Sequence, residues 1–175
     1  MAETFAEILK VGGKTNSLGR TGEVMDSVLR DPAKFEELYT CVFNEDAWVR
    51  MRAMDAIEKI CREHPEWLAP YINRFQSDLG ESEQPSIQWH LAQIYRQVEL
   101  SDRQKTIAIN WLKNLLSSKD VDWIVATNAM ETLVKFLEDG SVAKNDVLTL
   151  IEVQQGHKSK SVVKKMNKFL EYINS

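Results

Sequence analysis

Few residues in this chain stand at spacings that chemistry uses. Gly13-Lys14-Thr15 matches the end of a phosphate-binding loop. The whole motif, G-x-x-x-x-G-K-[ST], follows a strand and wraps phosphates in backbone N–H groups. Its first glycine would fall at Ile8, inside an expected helix, so a nucleotide site is rejected. His64, His90 and His157 are widely separated, and none has a second His, Cys or carboxylate at metal-ligand spacing. Cys41 and Cys61 lie inside helical patterns without a C-x-x-C partner and read as small buried apolar residues. No Ser or Cys stands in a nucleophile motif such as G-x-S-x-G. Glu36-Glu37 and Glu45-Asp46 fall at helix starts, where the helix dipole favours negative charge. The expectation is no catalytic residue, no metal and no cofactor. An active site assembled in space from distant residues stays open.

What the sequence does repeat is a helical ladder. Val49, Ile87, Val125 and Val162, spaced 38, 38 and 37 residues apart, each open the same mostly apolar pattern. The ladders continue through Ala53, Ala56, Ile57, Ile60; Leu91, Ile94, Tyr95, Val98; Ala129, Thr132, Leu133, Phe136; and Met166, Phe169, Leu170, Ile173. A fixed period of this length marks stacked helix pairs, because one pair alone cannot bury its apolar stripe. Ladder helices are predicted at about 46–62, 84–98, 121–138 and 160–173. Partner helices are predicted at about 33–43, 65–79, 102–117 and 143–154. Thr4-x-x-Glu7 and Ser101-x-x-Gln104 fit the capping box. Pro32, Pro65 and Pro85 fit first helical positions, whereas Pro70 should bend the helix it falls in.

Composition is that of an ordinary globular chain, with 43% apolar and 27% charged residues and a net charge of −4. That balance gives no general support for attachment to nucleic acid or acidic membrane. The charge is uneven: residues 1–140 carry 23 acidic and 16 basic side chains, residues 141–175 carry 3 and 6. No apolar run is long enough for a membrane span, and the first residues lack the basic start of a signal peptide. The expected location is the cytoplasm, and the expected organisation is one domain over 1–175. Residues 1–30 form a helical cap with a mobile glycine-rich loop, and 31–175 form four helix pairs.

Asp46-Ala47-Trp48-Val49-Arg50-Met51-Arg52-Ala53-Met54-Asp55-Ala56-Ile57 resembles the HEAT repeat, with its Asp, a Val-Arg pair three residues on, and a small residue three after the Arg. The bent helix at Pro70 is similar to a HEAT outer helix. The resemblance covers roughly residues 33–173. It implies an all-α fold, a right-handed α-α superhelix of the HEAT or armadillo type. In many HEAT proteins the Asp and Arg build a ladder between repeats, and Asp46 and Arg50 match those positions here. The later units carry Gln84 and Gln88, Asp122 and Ala126, and Ser159 and Val163 there. The resemblance implies a protein-interaction scaffold. DNA-alkylation-repair glycosylases are similar in architecture, so a nucleic-acid-associated protein is the alternative.

In such a stack the helical residues opposite the ladder face a partner. At 100° per residue these are Met51, Trp89, Thr127 and Lys164, flanked by Arg52, His90, Asn128 and Lys165, then Asp55, Gln93, Glu131 and Lys168. They form the predicted concave face. Its lysine end, with Lys158 and Lys160, suits phosphate or an acidic peptide. A protein or peptide partner is expected, and nucleic acid is possible through those lysines. Trp89 is either an exposed hot spot or packed between units. Trp48, Trp67, Trp111 and Trp123 lie near core stripes.

Overall fold

The computed structural model describes residues 3–12 and 17–175, and the chain divides into two compact units, 1–67 and 68–175. The described residues form helices and no strand.

In the first unit, α1 (Phe5–Lys10), α2 (Thr21–Arg30) and α3 (Phe35–Thr40) pack on α4 (Ala47–Glu63). The ends of these helices follow their side-chain chemistry. Thr4 and Glu7 exchange hydrogen bonds in a complete capping box. Asp46 Oδ1 accepts the Trp48 N–H at 2.8 Å and starts α4. The ladder Val49–Ala53–Ala56–Ile57–Ile60 is wholly buried, with Leu9, Val24, Val28 and Leu38 among the other buried residues. Each large aliphatic side chain buried this way contributes about 1.5–3 kcal/mol.

The chain passes from the first unit into the second within α5 (Pro65–Leu68), and the second unit continues through a 3₁₀ turn at Ala69–Tyr71 and α6 (Ile72–Leu79). Pro70 occupies the 3₁₀ turn, so the helix read through this point is interrupted as its missing N–H requires.

The second unit is a two-layer stack. One layer is α7 (Pro85–Tyr95), α9 (Trp123–Glu138) and α11 (Lys160–Asn174), each touching the next. The other is α6, α8 (Asp102–Leu116) and α10 (Lys144–Gln155), touching in the same order. Loop carbonyls and exposed helix ends are satisfied across the stack. Gln154 Nε2 donates to Leu116 O and Ser118 O, both at 2.8 Å, closing the end of α8. Trp111 Nε1 donates to Gly80 O at 2.9 Å, and its ring meets Tyr95 edge-on at 5.7 Å. Lys105–Asp139 and Lys113–Asp146 ion pairs, 2.8 and 2.6 Å, lie on the surface.

Both cysteines are buried. Burial, with Glu37 nearby, pushes the Cys41 thiol up to about 11. Burial, with Glu58 and Glu66, pushes Cys61 up to about 12. Thiolate is the reactive form. At pH 8 neither cysteine should be alkylated in the native protein, and both should react in denaturant; mass spectrometry after iodoacetamide treatment reads the difference.

Candidate partner-binding face

Helix geometry decides where each predicted site residue goes. In α4, Met51 and Asp55 are half-buried, and Asp55 pairs with Lys59 at 2.8 Å. Arg52 is different: it is 3% exposed. Its guanidinium donates from Nε to Ser17 O at 2.9 Å and from Nη1 to Leu9 O at 2.6 Å. Lys10 O is a third, longer acceptor at 3.4 Å. A buried cation without such acceptors would be costly, so these carbonyls explain why Arg52 lies inside. Gly12 permits the approach, since a Cβ there would stand 2.5 Å from the guanidinium carbon. Gly19 has φ +53°, and a Cβ on it would lie 2.7 Å from Val11 O. Arg52 therefore ties down both described flanks of the glycine-rich loop. Gly13-Lys14-Thr15 lies outside the described residues.

In α7, α9 and α11 the predicted residues fall into three groups. Trp89, Gln93, Thr127, Glu131 and Lys165 are half-buried, and Lys164 and Lys168 are exposed. His90 and Asn128, like Arg52, are buried: 6% and 9% exposed. The reason is shared. Each follows its opener by three residues, which turns it from the open arc toward the packed side of its helix. His90 Nδ1 lies 2.7 Å from Ser86 O, within its own helix. Asn128 Oδ1 accepts from Gln93 Nε2 at 3.1 Å and from Arg96 Nη2 at 3.2 Å, while its Nδ2 donates to Ile124 O at 3.0 Å.

Arg96 was not singled out by the sequence. It is the residue after α7, at the helix C-cap, not one in the middle of a longer helix. There it reaches α9: Nη1 donates to Asn128 O and Thr132 Oγ1, both at 3.3 Å, and Nη2 pairs with Glu131 at 3.1 Å. Glu131 in turn pairs with Lys165 at 2.9 Å. Arg96–Glu131–Lys165 thus joins all three helices of the layer. At the two positions where the resemblance implies a ladder, Asp46 caps α4, and Arg50 Nη1 donates to Asn44 O and Glu45 O at 2.7 and 2.9 Å.

The tryptophans divide. Trp67 stacks on His64 at 4.0 Å, and Trp111 is held as described. Trp48 and Trp123 are 38% and 54% exposed. They occupy the second and first positions of their helices, before the buried stripe begins, so nearness to a core stripe in sequence misplaces them. Trp123 stands one turn before Thr127 on α9, a position the arc predicted from Val125 did not include. Trp89 is half-buried, its ring 5.4 Å from that of His90.

The lysine end forms a surface cleft of about 470 Å³ along α11, lined by Lys160, Lys164 and Lys168 with Val163, Asn167 and Glu171. His157 closes its near end. His157 Nδ1 accepts the Ser159 N–H at 2.9 Å, which leaves Nε2–H to donate to Val121 O at 2.8 Å. Both ring nitrogens are therefore engaged in holding the turn into α11. A second cleft of about 510 Å³ lies between α6 and α8, but its amides pair with each other: Gln104 Nε2 with Asn73 Oδ1 at 3.0 Å, Gln76 Nε2 with Gln104 O at 2.7 Å.

Among the described residues no group of three His, Cys, Asp or Glu side chains is placed to hold a metal ion. No helix among them is long and apolar enough to cross a membrane. A family model described as "HEAT repeat domain" matches residues 14–121, well over half of the chain. No curated protein and no solved structure matches it.

Proposed function

This chain belongs to the HEAT-repeat family, and from that premise we propose that it is a non-enzymatic interaction module whose α7–α9–α11 layer binds a protein or peptide surface. HEAT repeats commonly serve as protein-interaction scaffolds. The observation that carries the reading is the contrast within that layer. Its inward polar groups (Asn128, Thr132, Arg96) are bonded within the chain, while Trp123 and, on α11, Lys160, Lys164 and Lys168 stand open on it. An exposed indole offers a large apolar area with one N–H donor, the usual composition of a binding hot spot. In the first unit, Met51 and Asp55 on α4 and the exposed Trp48 supply a similar mixture.

The test is pull-down from the native cell. Trp123→Ala, Trp89→Ala and the pair Lys164→Ala/Lys165→Ala should each deplete the recovered partner several-fold. Ile107→Ala on α8, 41% exposed on the opposite layer, should not. Circular dichroism confirms that each variant is folded. Unchanged recovery in all three layer variants refutes the assignment.

A nucleic-acid-associated reading is favoured by one feature, the α11 lysines. It predicts a salt-sensitive mobility shift with DNA or RNA. Arginine, the better reader of base edges, is absent from α11.

A further inference from the structure

Lysines in the second unit divide by place. Lys105, Lys113 and Lys165 pair with Asp139, Asp146 and Glu131. Lys135 and Lys144 donate to the carbonyls of Arg96 and Ile173. Among the described residues, Lys160, Lys164 and Lys168 have no carboxylate within ion-pair distance, and all three are exposed on the same cleft. Lysines four residues apart on a helix repel modestly, so an unpaired row of three is a small standing cost.

We infer that this cleft is a docking site for an acidic peptide segment in extended conformation, with carboxylates at alternate residues. The inference deepens the interaction-module reading and rests on it. Three observations support this occupant. Four residues of helix rise about 6 Å, so the lysines repeat along α11 at that interval. Same-side residues of an extended chain repeat at about 6.6 Å, so three alternate carboxylates stay in register with the three ammonium groups over the cleft. The cleft also offers both halves of a peptide hydrogen-bond pattern. Asn167 Oδ1 accepts from Gln155 Nε2 at 2.8 Å, which leaves the Asn167 Nδ2 hydrogens for a backbone carbonyl. Glu171, at the far end, offers a carboxylate acceptor for a backbone N–H of the peptide. A phosphodiester backbone brings acceptors alone and has no N–H to offer Glu171. Val163, beside the lysines, gives an apolar surface to the methylene groups of the carboxylate side chains.

The test is a two-dimensional amide NMR titration of the full chain with a synthetic nine-residue peptide alternating Glu and Ser. An alternating Lys-Ser peptide and an oligothymidylate of matched charge serve as comparators. The expected result is saturable shifts confined to about residues 157–171 and weakening of at least tenfold in K160Q/K164Q/K168Q. Binding should also weaken as salt rises from about 20 to about 200 mM. K119Q, an exposed lysine outside the cleft, should bind as the parent does. Absence of saturable shifts, or equal binding by the triple variant, overturns the inference. So does tighter binding of the oligothymidylate, which assigns the cleft to nucleic acid. The two readings fail separately. If the triple variant retains the native-cell partner that Trp123→Ala loses, the acidic-segment site is wrong and the interaction module stands. If neither variant loses it, both are wrong.

Discussion

Arg52→Ala should lower the stability of the protein by about 3 kcal/mol, since the carbonyls of Leu9 and Ser17 lose their donor in a buried setting. Each unsatisfied buried carbonyl costs about 1–3 kcal/mol, and the lost volume adds to that. For a chain of this size the melting temperature should fall by about 6–12 °C. Arg52→Lys should recover less than half of the loss. A single ammonium cannot serve Nε and Nη1 acceptors on opposite flanks of the loop, as the planar fork does. Amide exchange should speed most in α1 and at residues 17–20. A melting temperature within a degree or two of the parent would show that the loop carbonyls are satisfied by water and that the clamp is incidental.

Asn128→Ala should cost about 2–3 kcal/mol, well above Glu131→Gln. The comparison sets a buried network against a surface ion-pair chain. Asn128 serves three partners at once, and Gln93 Oε1 already lacks one, so removing Asn128 strands the whole Gln93 amide. Glu131 bridges Arg96 and Lys165, but its side chain is 32% exposed, and exposed pairs contribute about 0–1 kcal/mol. Urea midpoints at constant m-value separate the two. If Glu131→Gln is the more harmful change, the ion-pair chain, not the amide network, fastens α7 to α9.

The apolar ladder was legible because burial has a period and a period survives in one dimension. Val125, Ala129, Leu133 and Phe136 are all buried, as are Val49, Ala53, Ile57 and Ile60. Caps were legible because they are local: Ser101 and Gln104 form the full capping box. The face opposite the ladder was less so. An angle of 100° per residue gives an arc on an isolated helix, but Arg52 and Asn128 turn to neighbouring elements whose distance no spacing encodes. Arg96 was missed because the ladder from Ile87 reads on through Val98. The helix stops at Tyr95, and the residue after it swings across to α9. Trp123 was assigned to the core by its closeness in sequence to Val125, and its place at the first helical position leaves it out in solvent. Lys165 pairs with Glu131 while Lys164 does not, a distinction that rests on a residue 34 positions away.

The central claim is that the α7–α9–α11 layer carries partner binding. Hydrogen–deuterium exchange of the chain, with and without the partner purified from its native cell, tests this most directly. The account predicts slowed exchange in 85–96, 123–131 and 160–171, with α6 and α8 unchanged. Protection confined to 72–79 and 102–116, with the other layer unaffected, would contradict it.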